Sequence, residues 1–401
     1  AYEITTRLVG SEMCIRDNYN KKHEIIYKMN FKRILAKNYI NAIGWRTNKR
    51  YVLIESDDWG SIRMPSKKVY DLLLSKGIHV DKDYFDQYDS LESTDDLTAL
   101  FEVLTGVKDS LGHPAVITPL AVSANPNFEL IEQKQKKEYI YEPITETYKR
   151  HSHTEKSHDL ILQGIANGIY KPQFHGREHL HVKRWMEAIN SYSFKEQLAY
   201  DNQCLIISRE EMAYTPVHQT YFPAFAYDHI EELDDLNLII EDGTALFEKV
   251  YGYKASSICP PCGVVNSQIL EVASRHGIKG LQAGQHFVPQ KDGTIKIINK
   301  KWGDMSATHQ IYWRRNCTFE PSKNHDLDWV DLCLKEINIA FRWGKPATIN
   351  SHRVNYIGSI FPKNRDKTLK QLSLLLKTIV KKWPDVEFID SEKLYNILSS
   401  K

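Results

Sequence analysis

Tyr51-Val-Leu-Ile-Glu-Ser-Asp-Asp-Trp-Gly60 is the stretch on which the fold turns. Its first half, Tyr51 to Ser56, is a short apolar run of the kind that forms a buried strand. Its second half, Asp57-Asp58-Trp59-Gly60, closes that strand with two adjacent carboxylates. In an α/β fold the loops at the carboxyl ends of strands are where ligands bind. Adjacent acids there can divide labour, one coordinating a metal and the other staying free as a base. An Asp- and Gly-rich turn with no chemistry is the competing reading.

Working outward, the same rhythm recurs. Ser66 caps a helix running to Lys76, and Thr94 to Val107 has helical spacing with Leu97, Leu100, Phe101 and Leu104 on one face. Ala115–Ala121 is strand-like, and Ser157–Gly168 is a helix that runs into Pro172-Gln-Phe-His175. Val182–Ile189 and Ala245–Tyr251 read as helices, and Ala255–Ile258 as a strand. Asn266 caps a helix to His276. Lys279–Gln282, Pro346–Asn350 and Val386–Ile389 read as strands. Leu327–Phe341 and Lys363–Lys382 read as helices, and Asp390 or Ser391 caps a last one. Strands alternating with helices predict βαβ units and a parallel sheet. Seven or eight such units can close into a barrel. Residues 80–95 and 125–156 are polar and poorly periodic and read as insertions, and 285–325 as an inserted hairpin region.

Composition narrows the class. The chain has 401 residues, with 53 Lys plus Arg against 51 Asp plus Glu and a formal charge of +2. That balance gives no electrostatic footprint for nucleic acid. An apolar fraction of 42% with 26% charged residues excludes wholesale disorder and coiled coil. No run of about 18 apolar residues exists, so no transmembrane helix is expected. Residues 1–28 show no sustained period and read as non-native or disordered, with the native start near Met29. Residues 29–50 read as an amphipathic helix and lead-in, and 51–401 as one barrel domain. Without an apolar leader in this stretch, and with six scattered cysteines, a cytoplasmic setting is expected.

Three more constellations follow short apolar strands. His175-Gly-Arg-Glu-His179 carries an i, i+4 imidazole pair, which on one helical turn would suit a divalent metal. His151, His153 and His158 lie in a polar stretch and read as solvated. Cys259-Pro-Pro-Cys-Gly263 reads either as a redox pair or as a tight turn whose backbone amides face a site. The turn is the preferred reading. Asn350-Ser-His352-Arg-Val-Asn-Tyr356 offers a histidine whose unperturbed pKa of about 6.5 suits proton transfer.

The order acid pair, histidine pair, Pro-x-Gly turn, histidine resembles the polysaccharide deacetylases of carbohydrate esterase family 4. Ser56-Asp-Asp-Trp-Gly60 is similar to the family's Thr-Phe-Asp-Asp-Gly with one residue inserted. The resemblance makes Asp57 the general base and Asp58 a metal ligand. His175 and His179 match the family's His-Ser/Thr-x-x-His, with Gly176 in place of the hydroxyl residue, and would complete the metal triad. Cys259-Pro-Pro-Cys-Gly263 matches the family's Arg-x-Pro-x-Gly in its Pro and Gly, making the Cys262 amide the oxyanion donor. His352 matches the histidine of Leu-x-His and would be the general acid. The family arginine that orients the base is Cys259 here; Arg63, Arg177 and Arg353 are the candidates to replace it. Trp59, with Trp302 and Trp313, is a candidate for stacking on a sugar.

The resemblance implies an irregular (β/α) barrel, often of seven strands. It implies a bound divalent metal, zinc in the first place with Co2+, Ni2+ or Fe2+ as alternatives. The expected activity is removal of N-acetyl or O-acetyl groups from a glycan or a surface-polysaccharide precursor. Two rival readings stand beside it: a carbohydrate-binding relic, motivated by the missing arginine, and a thiol–disulfide enzyme using Cys259 and Cys262.

Overall fold

The computed structural model describes residues 31–400, apart from 192, 206, 208–218 and 291. The expectations for residues 1–28 therefore lie outside the described residues. One nine-stranded sheet organises the chain. Its strands are β1 (Tyr51–Trp59), β2 (Ile117–Ala121), β3 (Gln173–Phe174), β4 (Ser257–Ile258), β5 (Gly280–Gln282), β6 (Ile311–Trp313), β7 (Cys317–Thr318), β8 (Ala347–His352) and β9 (Glu387–Phe388). The order is β6-β5-β4-β3-β2-β1-β8-β7, with β9 pairing the first two residues of β1. Every pairing in it is parallel.

The two ends of this path are consecutive in sequence. Only Arg314, Arg315 and Asn316 separate β6 from β7. Three residues bridge at most about 14 Å, so the sheet must curl until its ends nearly meet. The result is an irregular (β/α) barrel. It uses nine strands, several of two or three residues, where the resemblance implied seven.

β1 is buried along its whole length, as a central parallel strand covered on both faces should be. Helices cover the outside. Those at Thr94–Thr105, Ser157–Ala166, Trp329–Arg342 and Pro362–Lys382 pack their apolar faces on the sheet and on each other. Caps match the sequence signals: the side chains of Ser66, Asn266 and Asp390 each accept a backbone N–H of the first turn that follows. The helix expected at Ala245–Tyr251 starts earlier and spans Glu232–Tyr251. An antiparallel hairpin, Gln285–Pro289 with Ile295–Asn299, lies off the sheet, whereas β6 and β7 belong to it. The helix Phe31–Ala42 is tied down by Arg33 and Lys37, which pair with buried Glu336. Among the described residues no helix is long and apolar enough to cross a membrane.

Candidate metal centre

β1 does not end as a regular strand. Ser56 lies opposite Pro119 and Trp59 opposite Ala121, so β1 spends three residue steps where β2 spends two. This is a bulge, and Asp58 takes a left-handed φ of 75° within it. A regular strand would send Asp57 and Asp58 to opposite faces. The bulge lets both carboxylates enter the barrel mouth.

The two acids meet different partners. Asp58 Oδ1 lies 3.6 Å from His175 Nε2 and 3.4 Å from His179 Nε2. All three residues are buried, and their ligand atoms fall within 4.8 Å of one another. His175 follows β3 directly. Its Nδ1 donates to the Cys259 carbonyl at 2.6 Å, which leaves the Nε2 lone pair toward Asp58. That Nε2 is buried with no hydrogen-bond partner among the described residues. A buried imidazole lone pair, oriented from behind by a carbonyl and facing a carboxylate, is the donor set a divalent cation uses. Burial pushes the His179 pKa down to about 3, so its ring is neutral and able to ligate. Burial opposes ionisation of Asp58, but the Arg63 guanidinium beside it holds its carboxyl well below the usual range.

The histidine pair does not sit on a helical turn as its spacing suggested. Residues 175–180 form an irregular loop. Gly176 has φ 115°, and a Cβ there would meet the Glu178 carbonyl oxygen at 2.8 Å. The loop is stitched to β2's end by the Ser123 and Ala124 amides, which both donate to the Arg177 carbonyl. The two rings still face one another, with centroids 5.1 Å apart.

Asp57 turns to the other side. β1 and β8 are in register at Asp57 and His352, and His352 Nε2 lies 3.6 Å from Asp57 Oδ2. Arg315 grips Asp57 with both terminal nitrogens, one at 2.7 Å from Oδ2 and the other on Oδ1. The same guanidinium donates to Glu55 at 3.0 Å and Asn350 at 2.6 Å and approaches the Cys259 sulfur at 3.8 Å. Burial alone would raise the Asp57 pKa, but Arg315 holds it below the carboxylate norm. His352 is tuned the opposite way. Burial disfavours its charged form, yet the Glu320 carboxylate, 2.6 Å from Nδ1, raises the pKa to about 9. Asn355 and Asn350 donate to Glu320 and fix its orientation. Phe85 sets its ring edge-on to His352 at 5.4 Å.

Other expected site residues lie elsewhere. Arg63 contacts Asp58, not Asp57. Arg177 pairs with Glu178 and Asp242 and stacks on Tyr141. Arg353 pairs with Asp89 and Glu92. None of the three expected arginines reaches the Asp57 carboxylate; Arg315 does. Arg315 lies two residues past the apolar run Ile311–Trp313, outside every motif the sequence offers. Glu320, just past β7, likewise lies outside the sequence motifs. Trp59 corrects another expectation: it is 1% exposed, packed on Tyr170 and Tyr356, and has no face for a ligand. Trp302 and Trp313 are equally enclosed.

The Pro-Pro-Cys-Gly segment is a short turn, Pro261–Gly263, with Cys262 at φ 52°. The Cys259 thiol donates to Gln282, and burial pushes its pKa well above the ordinary value. A second trio, His181, Asp228 and Glu232, is a poorer donor set. Lys183 and Arg184 already engage its carboxylates, and His181 Nδ1 accepts the Arg184 amide. The site residues thus come from the carboxyl ends of β1, β3, β4, β6, β7 and β8.

No protein-family model and no curated protein matches this chain. Solved structures similar to it include a protein assigned as a polysaccharide deacetylase from Mycobacterium smegmatis, at 12% identity and TM-score 0.42, covering 89% of this chain and 93% of that one. They include the family 4 carbohydrate esterase from Streptomyces lividans in complex with acetate, at 10% identity and TM-score 0.33, covering 84% and 90%. They also include 4-alpha-glucanotransferase from Thermococcus litoralis, at 8% identity and TM-score 0.40, covering 87% of this chain and 40% of that one. Likeness at this level carries no weight for chemistry.

Proposed function

We propose that the chain is a divalent-metal-dependent hydrolase of the carbohydrate esterase family 4 type, removing acetyl groups from an N- or O-acetylated glycan or glycan precursor. One observation carries this reading. Asp57, whose carboxyl Arg315 holds below the usual range, and His352, whose pKa Glu320 raises to about 9, face each other on paired strands beside the Asp58–His175–His179 trio. Environments that push two pKa values apart mark the base and the acid.

A cation bound by Asp58, His175 and His179 would supply a Lewis acid that lowers the pKa of a water and polarises an acyl oxygen. Zinc is the assignment, by donor set. Asp57, aimed by the Arg315 fork, accepts the proton of the attacking water. The turn at Cys262 offers its backbone N–H to the developing oxyanion. His352 passes its Nε2 proton to the leaving amine or hydroxyl, while Glu320 holds the ring on Nδ1. Residues 51–401 would form the catalytic domain, in a cytoplasmic setting.

Both rivals weaken. The relic was motivated by a missing arginine, and Arg315 fills that place. The thiol enzyme needs a depressed cysteine pKa, and that of Cys259 is raised.

The test is acetate release from N-acetylglucosamine oligomers by the zinc-loaded protein. Asp57→Asn is expected to slow release by about 10²–10⁴-fold while zinc binding is kept. Sugar binding by the wild type without any acetate release would favour the binding relic instead.

A further inference from the structure

Four buried charged residues take no part in the proton transfers: Arg63, Asp89, Glu92 and Arg353. They form a ring that starts and ends on the β1 bulge. Arg63 donates to Asp58 Oδ2 at 3.2 Å. Its Nε lies 3.7 Å from Asp89 Oδ2. Asp89 takes a fork from Arg353, at 3.0 and 3.1 Å. Arg353 reaches Glu92 at 2.9 Å. Glu92 then accepts the backbone N–H of Gly60, two residues past Asp58, at 3.0 Å.

The ring closes three separate segments on one turn. Arg63 follows β1, Asp89 and Glu92 come from the segment read as an insertion, and Arg353 follows β8. The turn needs holding, because Asp58 at φ 75° is in a region that residues with a Cβ seldom adopt. Arg63 occupies Oδ2 and so turns Oδ1 toward the two histidines. Burial of ion pairs is a poor route to stability compared with apolar packing. Stability alone is thus a weak reason for a chain of buried ion pairs whose end, Arg63, touches Asp58.

We infer that the Arg63–Asp89–Arg353–Glu92 ring is a positioning device for Asp58, fixing which carboxylate oxygen faces the metal. This rests on the metal-site reading above. The ring acts through Asp58 and needs no contact with substrate. It also gives residues 84–93 a function in the site.

Zinc affinity, measured by equilibrium dialysis with Zn2+ alone, tests it. Arg63→Met and Arg63→Lys are both expected to weaken zinc binding by about 10–100-fold, the size usual for lost outer-shell partners. Removing a nearby positive charge has the opposite sign. If Arg63→Met tightens zinc binding and Arg63→Lys matches the wild type, the arginine is only a local charge and the inference falls. Asp89→Asn, isosteric and farther from the cation, repeats the test should the Arg63 variants not fold. It is expected to weaken zinc binding and to change the visible absorption of the Co2+-substituted protein; wild-type behaviour in both readouts would also overturn the inference. Asp58→Asn separates the two claims, since zinc binding that survives it contradicts the metal site itself.

Discussion

Asp57 and His352 are neighbours in register, and their surroundings set opposite protonation. The Arg315 fork keeps Asp57 ionised below the ordinary carboxylate range, and Glu320 keeps His352 protonated to about 9. Activity is therefore expected to stay flat through neutrality and to fall on the alkaline side near pH 9. Glu320→Gln removes the largest of the charges that raise His352, leaving Asp57 and Asp58, while burial continues to lower it. The alkaline limb should then move toward or below 6.5, as read in a kcat–pH profile; an unmoved limb would remove His352 from the role of acid. The residues on motifs were legible because their order and their position after apolar strands can be read locally. Arg315 and Glu320 were not, because their partners are 258 and 32 residues away and only the folded barrel joins them.

At the scale of elements, strand positions were readable because buried parallel strands are plain apolar runs. Their ends were not. The apolar run ends at Ser56, yet β1 continues through the bulge to Trp59, and that extension is what presents the acids. The spacing of four between His175 and His179 is the helical signal. Gly176 at φ 115° and the stitching to Ser123 and Ala124 make the segment a loop instead. Gly176→Ala places a Cβ 2.8 Å from a backbone oxygen in a strained conformation. It should cost about 1–3 kcal/mol of stability and weaken zinc binding with it, by urea unfolding and dialysis. Retention of both would mean that the loop conformation is not what aligns the histidines.

On the scale of the whole molecule, the sheet order explains why the site exists. β6 and β7 end the path on opposite sides and are joined by three residues, so Arg314–Asn316 form the seam. From that seam Arg315 reaches Asp57 and Glu55 on β1, Asn350 on β8 and Cys259 after β4. Buried Glu55 is held by Trp313 and Ser391 as well, tying the seam and the last helix to the central strand. Alternating strands and helices reveal the barrel, but a seam between strands of three and two residues leaves no periodic trace in the sequence. The central claim is that one divalent cation at Asp58, His175 and His179 drives deacylation of an acetylated glycan. Its most direct test is acetate release from a panel of N- and O-acetylated oligosaccharides, titrated with Zn2+ after chelation. The account predicts no release without metal and a plateau at one equivalent per chain. Release that survives chelation, or none at any zinc load across the panel, would contradict it.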